Sequence, residues 1–373
     1  MKIQAKKKKF WSTFKNAYLR SKNLKRFWSK LDKRNLSPEL VETFNLYLNS
    51  ESYSWSSKFW RHLAINHLKL ISTEEKNYES IISQEYFTFT YFDEFIINDA
   101  WNKISENNIQ LSVDFFKKQN GFSLSQSANH NLILLLLYEN IKSREVFKYF
   151  NKIRKDKINN KPFLTINGNK ITQDDLNSLL EFEKIEELLL NLKNKKNTFL
   201  EIGAGAGRTA HTILSIKNDI KYVIADIPPA INISYNNLKA SFPNKKIANS
   251  FNLNEKNDLI NALNSNDILF IFPHQINSFP RKTFDMSIAI DCLHEMKKET
   301  INKYMNSFEQ VSQLLYFKVW ENCGLPYSFY QYYSVHRNND YSIKNHWKEH
   351  FREKCLYPSS FYQLGYEFLK MAP

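Results

Sequence analysis

The chain has 373 residues and a net charge of +14, and it is long enough for more than one domain with a sizeable core. Its three cysteines, Cys292, Cys323 and Cys355, form no CxxC pair and no zinc-type pattern. This argues against a disulfide framework and predicts a protein of the reducing cytoplasm. The longest aliphatic run, at residues 132–137, is far too short to span a bilayer, and the basic start lacks the apolar core of a signal peptide.

The first segment in chain order is a basic arm over residues 1–34. It contains 13 Lys or Arg and one acid, Asp32, and so carries +12 of the chain's +14. Large apolar residues recur among these cations at helical spacing; they are Phe10, Trp11, Phe14, Tyr18, Leu24, Phe27, Trp28 and Leu31. Three interpretations stay open: an interfacial helix on an anionic membrane face, a helix packed on the protein, or a nucleic-acid contact.

Residues 35–190 are predicted to form a mainly helical N-terminal domain, because this segment holds few glycines and prolines. Helical windows lie around residues 59–70, 92–104, 132–147 and 176–192. A turn at residues 167–169 and an N-cap at Thr172 precede the last window.

A glycine-rich turn follows the apolar run at residues 198–200. Its pattern, E-x-G-x-G-x-G, consists of Glu201, Gly203, Gly205 and Gly207, with Arg208 opening a predicted helix. A strand, a glycine turn and a helix cradle a nucleotide-like cofactor at the edge of a parallel sheet. The spacing is neither the G-x-G-x-x-G of dinucleotide sites nor a phosphate-binding P-loop. A glycine turn with only a structural role is the alternative.

An acid stands at the end of the next predicted strand. Residues 221–225 are apolar enough for a buried strand, and Asp226 follows it, 23 residues after Gly203. A carboxylate at this position accepts two hydrogen bonds from the vicinal hydroxyls of a ribose. A solvated strand-end aspartate is the alternative.

Later apolar runs complete the predicted sheet. Strands are expected at residues 268–272, 286–290 and 314–319, with a terminal hairpin strand at 364–368. Residues 247–264 fit poorly and are interpreted as an insertion or a helix. The fold class predicted for residues 191–373 is therefore a doubly wound, Rossmann-like α/β sheet.

The glycine turn resembles motif I of the class I S-adenosylmethionine-dependent methyltransferases. Between residues 199 and 296 the chain is also similar to bacterial sugar O-methyltransferases. The matching residues are Glu201 to Arg208, Asp226-Ile227-Pro228-Pro229-Ala230, Phe242-Pro243, Pro273, Gln275, Phe284-Asp285 and Glu295-Met296. The resemblance implies S-adenosylmethionine as cofactor, with the acid and the glycines holding its methionine part. It also implies a sugar hydroxyl as acceptor, on a nucleotide-sugar or a surface-glycan precursor. The chain departs from this family at residues 291–294.

The segment after the fourth predicted strand supplies the catalytic candidates. His294 titrates near neutrality and is the candidate base, with Asp291 or Glu295 to orient it. For the cofactor, Gln275 is a candidate at the adenine edge, Arg208 at the carboxylate, and Ile227 adjoins Asp226. Structural roles are the alternatives: His294 capping or packing a helix, Glu295 as an anchor, Gln275 in a turn and Arg208 in solvent. No metal site is indicated.

Two other functions fit the same residues. The basic arm suits an RNA or DNA methyltransferase, although the (N/D)-P-P-(Y/F) signature of amino-methylating enzymes is absent after the fourth strand, so a nucleic-acid partner is disfavoured. A cofactor-binding scaffold without catalysis is the non-enzymatic alternative. The sequence leaves the oligomeric state open.

Overall fold

The computed structural model describes residues 24–72, 94–106, 113–118, 122–153, 163–166, 168–253, 255–324 and 332–369. The first 23 residues of the predicted arm lie outside this part of the chain, and so do the apolar positions assigned to a helix before Leu24.

Helices make up most of the described chain before residue 190. They are α1 (Leu24–Lys30), α2 (Pro38–Asn49), α3 (Ser52–Trp55), α4 (Lys58–Ile71), α5 (Glu94–Glu106), α6 (Leu124–Lys142), α7 (Phe150–Ile153) and α8 (Gln173–Leu189). An antiparallel hairpin of β1 (Leu164–Ile166) and β2 (Asn169–Ile171) precedes α8. The helical windows predicted from the sequence are confirmed, whereas the hairpin was not foreseen.

Side-chain caps fix where two of these helices begin. The Thr172 hydroxyl accepts a hydrogen bond from the Asp175 amide at 3.2 Å, and the Asp175 carboxylate accepts one from the Thr172 amide at 3.0 Å. This capping box confirms the predicted N-cap. Ser57 accepts from the Trp60 amide at 3.2 Å in the same way, which starts α4 immediately after α3.

The rest of the chain forms an eight-stranded sheet with helices on both faces. Its strands are β3 (Thr198–Ile202), β4 (Lys221–Ala225), β5 (Ile247–Asn249), β6 (Ile268–Ile271), β7 (Phe284–Ile290), β8 (Ser312–Trp320), β11 (Trp347–Lys354) and β12 (Phe361–Phe368). Two short strands, β9 (Asn322–Gly324) and β10 (Tyr332–Ser334), pair separately. The connecting helices are α9 (Arg208–Ile216), α10 (Ala230–Ser241), α11 (Lys256–Ser265) and α12 (Lys298–Val311).

The strand order is β5-β6-β4-β3-β7-β8-β12-β11. All pairs are parallel except the two that involve β12. The fold is therefore the predicted doubly wound, Rossmann-like α/β sheet, closed on one side by a hairpin. The interpretation of residues 247–264 needs one correction, because this segment adds the edge strand β5 as well as helix α11.

The helices before residue 190 share one apolar core with a face of this sheet. That core joins Leu24 and Trp28 of α1, Phe44 of α2 and Leu179 of α8 to strand residues such as Tyr222. Helices α11 and α12 cover the opposite face. Within the described residues, no helix combines the length and the apolar character that a bilayer crossing needs.

Candidate cofactor and active site

The segments that carry the predicted site residues follow neighbouring strands, at the edge of the sheet where the parallel strands end. Gly203 follows β3, Asp226 follows β4, Pro273 follows β6 and Cys292 follows β7. The chain runs from β3 to β4 on one side and later returns to place β7 on the other side of β3. Such a reversal opens a crevice beyond the carboxyl ends of the strands, where doubly wound folds bind ligands.

The glycine turn has the left-handed backbone that its sequence predicts. Gly203, Gly205 and Gly207 have φ angles of +62°, +57° and +78°, a region that side chains with a Cβ rarely adopt. The turn is also closely packed, since a Cβ added at Gly203 would lie 2.8 Å from the Cβ of Cys292. Gly207 caps α9. The glycines therefore bring bare backbone to the edge of the crevice.

Asp226 links the turn to β4 with its carboxylate. One oxygen accepts from the Gly205 amide at 3.0 Å, and the other accepts from the Ile227 amide at 2.7 Å. The side chain is buried, and burial raises the pKa of Asp226 to about 7. A carboxylate has about four lone-pair directions, so two backbone donors leave capacity for a diol. This arrangement fits the ribose of an adenosine cofactor.

Glu201 lies in the last part of β3 and is 2% exposed. Its carboxylate accepts a hydrogen bond from the Tyr222 hydroxyl at 2.9 Å, and burial raises the pKa of Glu201 to about 7. It is not among the described residues that line the cavity below. Its hydrogen bond therefore links β3 to β4 just before the glycine turn begins.

A cavity with about 520 Å³ of empty space, part of it open to solvent, lies over the crevice. One wall belongs to the sheet edge and comprises Gly203, Gly205, Ala225, Asp226, Ile227, Pro273 and Cys292. The other described lining residues are Ser52, Trp55, Ser56, Ser57, Trp60, Met296, Thr300 and Tyr304.

The helical region closes the cavity through α3 and the start of α4. The Ser52 hydroxyl contacts the His274 Nδ1 at 2.8 Å and accepts from the His274 amide at 2.9 Å. The Thr300 hydroxyl donates to the Trp55 carbonyl at 3.1 Å. These bonds fasten the segment to both β6 and α12, so the cavity is a joint product of the helices and the sheet.

Arg208 is not among the described residues that line this cavity. Its guanidinium donates to the two Glu181 carboxylate oxygens at 2.6 and 3.2 Å, and to the Ser178 hydroxyl at 2.8 Å. Lys318 donates to the same carboxylate at 3.0 Å. The predicted contact of Arg208 with a cofactor carboxylate is untested, and the structure engages its side chain in a buried ion cluster.

Gln275 uses its side chain inside the protein. Its carbonyl oxygen accepts from the Phe272 amide at 2.6 Å, and its NH₂ group donates to the carbonyls of Ser250 and Leu253. Both donors are therefore occupied. The Gln275 side chain thus links the loop after β5 to the end of β6, and no donor of its NH₂ group is left for an adenine edge.

The three catalytic candidates follow β7. Asp291 has a left-handed φ of +56° and a half-exposed side chain. His294 is 3% exposed, and its Nε2 lies 3.4 Å from an Asp291 carboxylate oxygen. Burial between the rings of Trp320 and Phe361 lowers the pKa of His294 to about 3. Its Nδ1 has no hydrogen-bond partner within the described residues.

Glu295 contacts Trp60, a residue that lines the cavity. Burial raises its pKa well above the usual range, and a hydrogen bond from Trp60, a cavity residue, opposes the rise. Its Oε2 has no partner within the described part of the chain. Over the same residues, no cluster of three His, Cys, Asp or Glu side chains is arranged to hold a metal ion.

No family model and no curated protein matches the chain. A solved S-adenosylmethionine-dependent methyltransferase from Clostridium acetobutylicum is 10% identical, with 51% of this chain and 89% of that chain covered and a TM-score of 0.34. The magnesium protoporphyrin IX methyltransferase from Synechocystis PCC 6803, solved with bound S-adenosylmethionine, is 9% identical, with 62% and 95% covered and a TM-score of 0.34. These likenesses concern the fold.

The sequence pattern did not identify the cavity residues that lie on helices. Trp60 and Tyr304 line the cavity together, yet 244 positions separate them in the chain. Their signals, an apolar position in an amphipathic helix in each case, are those of ordinary core residues. The local motifs therefore identified the wall of the cavity at the sheet edge and did not identify the lining residues on the helices.

Proposed function

We propose that the chain is an S-adenosylmethionine-dependent methyltransferase. The observation that carries the proposal is Asp226, a buried carboxylate that lines the cavity beside the glycine turn. Two backbone amides hold it in place and leave acceptor capacity toward the cavity. Gly203, Gly205 and Ile227 would complete the cofactor wall, with Glu201 supporting the turn.

When bound, the cofactor supplies a methyl group activated by a sulfonium. The protein would contribute by aligning an acceptor oxygen with that methyl group and by excluding water. The cavity suits this role because α3 and the start of α4 cover the sheet edge.

Calorimetry with S-adenosylmethionine tests the proposal. The Asp226→Ala variant should bind roughly 10²- to 10⁴-fold more weakly, since two hydrogen bonds to a charged group are lost. Asp267→Ala is the matched control, because this aspartate stands before β6 at the opposite edge and caps the Lys246 amide at 2.8 Å. Unchanged affinity of the Asp226 variant, or binding of NAD in place of S-adenosylmethionine, would refute the proposal.

We propose a sugar hydroxyl as the acceptor, in surface-glycan biosynthesis. The proposal rests on the resemblance of residues 199–296 to sugar O-methyltransferases. The absence of Lys and Arg from the described lining residues supports a neutral acceptor over a nucleic-acid phosphate backbone. Labelled-methyl transfer should be tested on glycan precursors and on RNA. Incorporation into RNA alone would refute the sugar acceptor, and no transfer to any acceptor despite cofactor binding would favour an inactive scaffold.

We propose His294, with Asp291 and Glu295 beside it, as the group that assists deprotonation of the acceptor. The low pKa of about 3 keeps the imidazole neutral in the cell, so it can accept a proton, although as a weak base. The His294→Ala variant should lose turnover by roughly 10²-fold while cofactor affinity stays within a factor of about two. Asp291→Asn serves as a companion that keeps the packing. Unaffected turnover in His294→Ala would place the base elsewhere.

A further inference from the structure

Three aromatic rings line the cavity together with residues of the glycine turn. Trp55, Trp60 and Tyr304 belong to α3, α4 and α12, and all three line the cavity with Gly203 and Asp226. Trp55 meets Tyr304 edge to face, with 5.5 Å between ring centroids and 89° between the planes. Trp60 meets the ring of Phe59 edge to face as well, with 5.7 Å between ring centroids and 76° between the planes. The rings therefore form a braced wall.

The described lining residues of the cavity include no cation. Among the described lining residues, Asp226 is the one charged side chain. Two cations close to this wall have partners of their own: Lys303 lies 4.7 Å from the centroid of the Trp55 ring and pairs with Glu51, and Arg61 stacks on Tyr53. An aromatic face carries negative potential, so the cavity attracts a cation and repels an anion.

We infer that Trp60 and Tyr304 form an aromatic site for the positive charge of a sulfonium, through which the enzyme distinguishes its charged cofactor from the neutral product. This inference rests on the proposed function. Aromatic faces attract onium groups within about 6 Å, with strength that grows when water is excluded. After methyl transfer to the acceptor oxygen, the bonding pair of the broken S–C bond stays on sulfur, and the acceptor proton leaves to a base. The resulting thioether is neutral and loses this attraction, which favours product release.

The test compares the affinities of S-adenosylmethionine and S-adenosylhomocysteine, measured by calorimetry at one pH and ionic strength. Trp60→Leu and Tyr304→Leu should weaken S-adenosylmethionine binding about fivefold, the usual size of one cation–π contact, and leave S-adenosylhomocysteine within a factor of about two. Trp60→Phe and Tyr304→Phe are matched controls that keep a ring and should retain most of the preference. Trp60→Phe also removes the hydrogen bond to Glu295, so it separates that bond from the ring effect.

A purely structural role, or stacking on the adenosine, would weaken both ligands equally, and that result would overturn the inference. If a leucine variant does not fold, incorporation of fluorinated tryptophan replaces it, because fluorine withdraws ring electrons without changing the shape of the ring. S-adenosylmethionine affinity should then fall while that of S-adenosylhomocysteine holds. A wild-type protein that binds neither ligand would refute the proposed function itself, whereas equal effects on two bound ligands would refute this inference alone.

Discussion

At the scale of single residues, the buried acid Glu201 predicts a pH-dependent stability. Burial raises the pKa of Glu201 in the folded protein to about 7, from the ordinary value of 4.5 for a glutamate. The folded state therefore favours the protonated form, and this contribution is present below pH 4.5 and lost as the pH rises to about 7. Glu201→Gln should be more stable than the wild type at pH 8, by about 3 kcal/mol, and similar at pH 4.5. Thermal denaturation of both proteins between pH 4.5 and pH 8 checks this prediction. A stability difference that does not change with pH would contradict it.

Gly203 and Gly168 give a second prediction at this scale. Both have a positive φ, of +62° and +77°, so alanine strains either position by about 1 kcal/mol. At Gly203 the new Cβ would also collide with Cys292, whereas at Gly168 nothing lies within 4 Å. Gly203→Ala should therefore cost about 2 kcal/mol more than Gly168→Ala, given the usual cost of overpacking. Urea denaturation of both variants measures the difference, and equal losses would show that Cys292 moves aside freely.

At the scale of elements, an ion cluster joins α8 to α9 and β8. Burial alone would raise the pKa of Glu181, but Arg208 and Lys318 outweigh it and lower the pKa. Glu181→Gln should destabilise the protein by about 3–5 kcal/mol, because two cations lose their buried partner. Glu183→Gln on the same helix is the control, since its pair with Arg144 is partly exposed and should contribute under about 1 kcal/mol. Adding Lys318→Met to Glu181→Gln should restore part of the loss, and no recovery would show that the charges are not coupled.

The elements differ in how well the sequence predicts them. Strands β3, β4, β6 and β7 are short apolar runs covered on both faces, so composition alone identifies them. The edge strand β5 has three residues with intermediate or exposed side chains, and β11 mixes charges with aromatics in WKEHFREK. Edge strands need no continuous apolar run. Their pairing partners define them, and a local pattern does not contain that information.

The residues of the candidate site also differ in how well the sequence predicts them. Gly203 to Gly207 and Asp226 form a local motif whose geometry follows from strand, turn and backbone conformation, and the structure shows that geometry. Gln275 matched a family pattern, yet its amide is satisfied within the protein. Trp60 enters the cavity only through the packing of α4 against the sheet. Contacts between segments that are far apart in the chain depend on tertiary packing, and a local sequence motif does not specify that packing.

At the scale of the whole molecule, the described part of the arm belongs to the core. Leu24 is 0% exposed, and Trp28 stacks on Phe44 at 4.3 Å and donates to Asn45 at 2.8 Å. Trp28→Ala should therefore lower stability by about 3–5 kcal/mol. Chemical denaturation measures this loss. Phe27→Ala is the control, because its side chain is only partly buried and should cost less; equal losses would contradict the packing.

Because Leu24 and Trp28 pack in the core, a separate role of the arm would have to belong to the residues before Leu24. We propose that the protein is cytoplasmic and peripheral at the inner face of the membrane, held by the cations before Leu24; residues 1–23 contain eight Lys or Arg. Deletion of residues 1–23 should abolish binding to anionic vesicles without lowering the melting temperature, whereas deletion of 1–34 should lower it by removing Leu24 and Trp28. Vesicle sedimentation at low salt checks the first result. Equal binding by the shortened and full chains would exclude a membrane anchor.

The bond between Thr300 and Trp55 spans 245 positions of the chain, and this has a consequence for biosynthesis. A ribosome adds roughly 5–20 residues per second, so α3 would wait on the order of 10–50 seconds for α12 to be made. During that interval the sheet that covers the apolar sides of the early helices is incomplete, because β8, β11 and β12 follow α12 in the chain. We expect chains stalled before residue 300 to be cleaved readily by protease in the helical region, and finished chains to resist. The yield of folded protein would then depend on translation speed and chaperone supply as well as on the stability of the final structure.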